Sequence, residues 1–200
     1  MKQLTQYINE KLHVGQYKNI LTYKYFPKDK NELRQIIRER IEKEGNECDL
    51  NDIDVSQITD MSNIFAESEF NGDISEWDVS KVTNMSSMFY SSKFNGDLSN
   101  WNVSNVKNMM HMFCSSEFNG DISKWDTSNV TNMTELFGWS NFNGNISNWD
   151  VSNVIDMRGM FKTSIFNGDI SKWDVSNVED MGSTFRNCPL EKNPPKWYKK

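Results

Sequence analysis

His111 and Cys114 stand three residues apart, a spacing that sets an imidazole beside a thiol on one helical turn, as in a metal pair or a nucleophile with its base. Either chemistry needs more: a second ligand pair at matching spacing, or a third group to orient the histidine. The chain has two histidines and three cysteines, and His13, Cys48 and Cys188 complete no such set. Phosphate-cradling and dinucleotide-binding glycine loops are also absent from the sequence. The pair reads as substitution at solvent-facing positions, and the sequence implies no catalytic residue, no cofactor and no enzyme.

Carboxylates are the other candidates. Asp54, Asp78, Asn102, Asp126, Asp150 and Asp174 form one regular series, and Asp73, Asp97, Asp121 and Asp169, each after Asn-Gly, form another. Carboxylates stacked about 5 Å apart repel by about 1 kcal/mol in water, so something must offset them. Lys124 and Lys172, two residues ahead of their local Asp, and the amides and hydroxyls of Ser80-type residues are the groups at hand. Three readings stay open for Asp78, Asp126, Asp150 and Asp174: a hydrogen-bonded ladder copied with the repeat, a surface for a basic partner, or weak calcium binding. The second series reads as turns, because calcium-binding rolls use much shorter repeats.

What positions these groups is a repeat. Phe70, Phe94, Phe118, Phe142 and Phe166 each open Phe-Asn-Gly, and Trp77, Trp101, Trp125, Trp149 and Trp173 keep the same interval. A period between about 20 and 50 residues marks a stacked array. Six copies span residues 46–189. Within residues 70–93, Ile74, Trp77 and Val79 alternate with polar residues as in a short strand, and Val82, Met85, Met88 and Phe89 fit one face of a short helix capped by Asn84. Asn-Gly then supplies the positive φ of a tight turn. Stacked strands about 4.8 Å apart would make the array roughly 30 Å long.

The ends differ in character. Residues 1–28 carry an amphipathic stripe of Leu4, Tyr7, Ile8 and Leu12, a candidate docking segment. Residues 29–45 predict a capping helix, with Asp29 and Glu32 as its capping box and Leu33, Ile36, Ile37 and Ile41 on one face. Residues 190–200 continue the Trp column in Trp197, while Pro194 and Pro195 stop further pairing. The repeats hold eight Lys/Arg against twenty-one Asp/Glu, a net charge of -13, within a chain whose net charge is -6. The acidic body argues against direct binding of nucleic acid. No stretch reaches the roughly 18 apolar residues of a membrane span, and no secretion signal or anchor is legible, which predicts a cytoplasmic or particle-associated chain.

The unit FNGDISxWDVSNVxxMxxMF, with its Trp-Asp-Val-Ser and Met-x-x-x-Phe elements, resembles the mycoplasma-type BspA-like leucine-rich repeat over residues 46–189. The resemblance implies a right-handed, leucine-rich-repeat-like coil, a cell-surface location as in many bacterial members, and no catalytic residue; similar arrays occur in phage proteins. The expected fold is therefore an α/β repeat solenoid of short parallel strands and short helices, 24 residues per repeat, with an N-terminal capping helix. The expected function is a non-enzymatic scaffold for a protein or glycan partner. An acidic mimic of nucleic acid and a structural subunit of a larger phage or cell-surface assembly are the alternatives. Identity within the array should lie where the copies differ, at Tyr90, His111, Trp139 and Ile165, since large side chains on a Ser-rich face suit binding anchors.

Overall fold

The computed structural model describes residues 23–199. The stripe of Leu4, Tyr7, Ile8 and Leu12 lies outside the described residues. Helix α1, Lys30–Glu44, starts where the sequence places it: the Asp29 carboxylate accepts the amides of Asn31 and Glu32, and Gly45 ends the helix at φ 90°. The capping box is shifted by one residue, because the Glu32 carboxylate takes the amide of Lys28 instead of that of Asp29. Leu33 and Ile37 are buried against the first coil, with Ile36 and Ile41 packed beside them.

The expected α/β repeat solenoid, with a strand and a helix in every leucine-rich-repeat-like unit, is not what residues 46–189 form. Among the described residues α1 is the sole α-helix, joined by one 3-10 turn at Pro189–Glu191, and there is no sheet, only isolated parallel bridges. Each of those bridges between Asp49 and Asp180 pairs a residue with its counterpart 24 positions on, as in Asn84 with Asn108 and Asn108 with Asn132. The chain thus winds as stacked coils built from turns: coil 1 is residues 46–69, coil 2 is 70–93, and so on to coil 6, 166–189.

Turns replace the expected elements for a definite reason. In coil 2 the amides of Trp77, Val82 and Met88 donate to the carbonyls of Ile74, Val79 and Met85 at 3.2, 2.9 and 3.2 Å. Apolar residues three apart suit a helical face, but they equally mark the first and last residues of a β-turn. Here Ser87 and Ser91 sit at φ 54° and 52°, as do their counterparts His111 and Ser115, and Glu135 and Trp139, near these values. A left-handed residue every fourth position forbids a right-handed helix.

The amides a helix would use internally point along the stack instead. Those of Met85, Ser87, Phe89 and Ser91 donate to the carbonyls of Asn108, Met110, Met112 and Cys114 in the next coil, at 2.8–2.9 Å. On this face successive coils therefore present carbonyls toward α1 and amides toward the C-terminal end. Lys30 meets the carbonyl end, its Nζ 2.7 Å from both Asp60 and Ser62. At the other end the Glu191 carboxylate accepts the amide of Asn187 at 2.9 Å. These charges complement the aligned peptide dipoles, as at the ends of a helix.

The Asn-Gly expectation is also corrected. Among the described residues only Gly45 and Gly159 are glycines at positive φ, so Phe-Asn-Gly makes no left-handed hairpin turn. Its asparagines form a ladder: the Asn71 side chain accepts the amide of Asn95, Asn95 that of Asn119, and so on to Asn167, each at 2.8 Å. The glycine makes room for a ring, since a Cβ on Gly96 would lie 2.8 Å from Cζ of the fully buried Phe94.

Inside, aromatic columns run through the coils. Phe65, Phe89, Phe113, Phe137, Phe161 and Phe185 stack at 5.6–5.9 Å, and where one coil passes into the next Phe113 and Phe118 approach to 4.3 Å. Each tryptophan of the column from Trp77 to Trp197 also closes a hydrogen bond to a carbonyl 27 residues earlier, as Trp125 Nε1 does to that of Leu98 at 3.0 Å. Full burial of each such ring stabilises the fold by about 1.5–3 kcal/mol.

Candidate binding groove

Three Asx-turns per coil, two or three of them Asx-x-Ser, hold the aspartates of the repeats that face solvent. In coil 2, the Asp73, Asp78 and Asn84 side chains each accept an amide two residues on, from Ser75, Ser80 and Ser86, while Ile74, Val79 and Met85 between them point into the core. Asn84 therefore closes an Asx-turn and caps no helix. The carboxylates of Asp126, Asp150 and Asp174 are held in the same way. The Ser128 and Ser152 hydroxyls add bonds of 2.6 Å to Asp126 and Asp150.

Hydrogen bonds from Ser176, the amide first and then the hydroxyl, hold the Asp174 carboxyl below its usual range, and the Ser152 hydroxyl leads the same effect on Asp150. Lys124 and Lys172 act elsewhere than expected: their charge adds to the lowering at Asp121 and Asp169, in the neighbouring series. Among the described residues no group of three or more His, Cys, Asp or Glu side chains could hold a metal ion. The acidic series is thus a set of turn-closing groups, and the calcium reading has no ligand cluster behind it.

The face formed by the left-handed turn residues is different. There the coils differ from one another, and they differ in size. Residues 63, 87, 111, 135, 159 and 183 read Asn, Ser, His, Glu, Gly, Ser, and residues 67, 91, 115, 139, 163 and 187 read Glu, Ser, Ser, Trp, Thr, Asn. Between them, residues 66, 90, 114, 138, 162 and 186 read Ala, Tyr, Cys, Gly, Lys, Arg. Small side chains in coil 3 lie between Tyr90 of coil 2 and Trp139 of coil 4. The result is a groove of about 550 Å³ bordered by Asn63, Glu67, Tyr90, His111, Glu135 and Trp139, with Ala66, Ser87, Cys114 and Ser115 as the smaller lining residues.

The groove is polar at its centre and aromatic at its borders. His111 Nε2 is 3.4 Å from Glu135 Oε2, and the Tyr90 ring centroid is 6.5 Å from that of His111. Lys162 Nζ stands 4.4 Å from the Trp139 ring centroid and 3.8 Å from Glu135 Oε1. Trp139 is 43% exposed although it sits at φ 51°, a combination that costs backbone energy with little burial in return. Cys114 is buried, and burial pushes its thiol up to about 11, so it is a poor nucleophile at neutral pH. His111 faces Glu135, not the thiol.

Of the residues singled out from sequence, Tyr90, His111 and Trp139 come together in this groove. Ile165 does not: it is 54% exposed in a different column, with Lys93, Glu117 and Asn141 at the equivalent places of other coils. Asp78, Asp126, Asp150 and Asp174 also lie apart, in their Asx-turns. Glu67 and Glu135 were missed as groove residues, and so was Lys162 as the cation beside Trp139 and Glu135. A usable signal was present, because residues 24 apart are neighbours across coils: His111 with Glu135 repeats the relation of Lys93 with Glu117, which are ion-paired.

No helix among the described residues is long and apolar enough to cross a membrane. No curated protein and no solved structure matches the chain. A family model described as "Mycoplasma protein of unknown function, DUF285" matches residues 32–140 and 114–198, together covering most of α1 and all the coils. On that match the chain belongs to the DUF285 family of repeat-containing proteins.

Proposed function

We propose that the chain is a non-catalytic binding module whose groove between Tyr90 and Trp139 receives a protein partner. The observation that carries this reading is the exposed Trp139 at a left-handed turn position where the other coils hold Glu, Ser, Thr or Asn. An exposed tryptophan in a strained place, bordering a concave surface, suits a binding anchor better than a packing residue. The resemblance to BspA-like surface proteins agrees with a recognition role. A non-catalytic role is supported by the buried, poorly ionised Cys114 and by the tying of the Asp side chains into their own turns.

The array supplies its own neutral replacements for the test. Tyr90→Ala, His111→Ser and Trp139→Ser install residues found at the same places in other coils, namely Ala66, Ser87 and Ser115. A triple variant should unfold at nearly the same urea concentration as the parent yet lose any partner recovered with the parent from native extract. Undiminished recovery of that partner by the folded triple variant would remove the groove as the binding site.

A further inference from the structure

We infer that the groove's ligand is a basic segment of the partner, with a lysine or arginine side chain lodged over Tyr90 between Glu67 and Glu135. This rests on the binding reading above and gives it a chemistry.

The first support is that one cation already stands against two of the residues that line the groove, Trp139 and Glu135. Lys162 reaches over the Trp139 ring at 4.4 Å while its ammonium stands 3.8 Å from Glu135 Oε1. An aromatic face beside a carboxylate favours a cation by the ring quadrupole and by direct charge attraction together. The N-terminal half of the groove repeats those parts without the cation. Tyr90 supplies a ring, and Glu67, whose amide is bonded to the Tyr90 carbonyl, supplies a carboxylate. Among the described residues Glu67 enters no ion pair. Glu135, three coils on, keeps Oε2 toward His111 and Oε1 toward Lys162, and adds a second carboxylate to the lining of the same groove.

Size and charge agree with that occupant. Tyr90 and Trp139 belong to coils two apart, a separation of about 10 Å at ordinary strand spacing, enough for one extended side chain between them. The repeats carry a net charge of -13, a field that draws a basic segment in and repels an acidic one. A neutral glycan would use the rings but gain nothing from Glu67.

The experiment uses the full chain and a short synthetic peptide of alternating Gly and Arg with neutral ends. Amide and indole NMR shifts locate binding, and titration gives the affinity at low and at high salt. An equal-length Gly–Glu peptide and a neutral chito-oligosaccharide are the comparison probes. The expected result is that the Arg peptide shifts Tyr90, His111 and the Trp139 indole, while the Glu peptide shifts nothing. Glu67→Gln with Glu135→Gln should weaken binding about tenfold or more, as loss of two charge-assisted contacts requires. Glu76→Gln with Glu179→Gln removes the same charge elsewhere and should weaken it by no more than about twofold, the part due to general attraction.

Equal weakening by the two pairs of substitutions would overturn the inference, since the peptide would then respond to net charge alone. Shifts from the oligosaccharide at the groove, with none from the Arg peptide, would also overturn it while leaving the groove a binding site. Absence of binding by every probe, together with partner recovery by the triple variant, would overturn both readings.

Discussion

Asp and Ser residues that look like a solvated surface are in this chain the fasteners of its turns. Asp121, Asp169 and Asp174 are held below the ordinary carboxylate value of 3.8 by the amide and then the hydroxyl of the serine two residues on. A carboxylate whose pKa is depressed on folding adds stability that is fully present above its unfolded value and is lost as pH falls through the folded one. The urea midpoint should therefore be flat above about pH 5 and fall below about pH 4. Asp150→Asn with Asp174→Asn keeps both turns, as Asn102 does in coil 3, and should make the acid loss shallower; an unchanged acid limb would refute the role given to these carboxylates. The tryptophans carry a second residue-scale prediction. Trp125→Phe keeps a ring but removes the donor from the Leu98 carbonyl, and should cost about 1–3 kcal/mol, while Trp125→Ala should cost about 3–5 kcal/mol by equilibrium unfolding. Trp197 makes the same kind of bond to the Ile170 carbonyl but is only partly buried, so Trp197→Ala should cost less, about 1–3 kcal/mol.

The turn is the element, and its left-handed residue is the weak point. Non-glycine residues occupy this conformation at eleven places among the described residues, and Thr163, branched at Cβ, does so at φ 57°. Thr163→Gly should raise stability by about 1 kcal/mol, because glycine takes the conformation without the Cβ clash. Gly159→Ala should do the opposite: at φ 58° its new Cβ would also meet Glu135 Cγ at 2.9 Å. Urea midpoints moving in the same direction for both variants would contradict the turn geometry. Coils 3 and 4 keep His111, Glu135 and Trp139 in this strained conformation, and the groove is the feature they share.

Across the whole molecule the two ends are finished by opposite charges. At the carbonyl end α1 presents Lys30 to Asp60 and Ser62, and buried Arg40 joins Asp52 at 2.6 Å and the Asp49 carbonyl at 2.8 Å. At the amide end Glu191 is the counterpart, on the Asn187 amide. Glu191→Ala should loosen the last coil without unfolding the rest: hydrogen exchange should quicken at Asn187 and its neighbours while protection in coils 3 and 4 stays as it was. Faster exchange spread evenly over all the coils would mean that the stack unfolds as a single unit.

The interval of 24 residues, the identity of the buried columns and the capped start of α1 were legible in the chain because each depends on residue types at fixed spacing. Ile74, Trp77, Val82, Met85, Met88 and Phe89 are all buried as their apolar character demands, whatever the backbone does between them. The backbone itself was not legible. Three-residue apolar spacing is shared by helix and β-turn, and only stacking decides between them, by offering the amides of Met85, Ser87, Phe89 and Ser91 carbonyls in the next coil in place of partners within their own. The groove was legible only in part for the same reason. Tyr90, His111 and Trp139 stand out as large residues on a Ser-rich background, but their union with Glu67, Glu135 and Lys162 depends on neighbours in adjacent coils. Which side chain faces which across that gap is set by the turn each one sits in, and that is a property of the stacked coils, not of the order of residues along the chain.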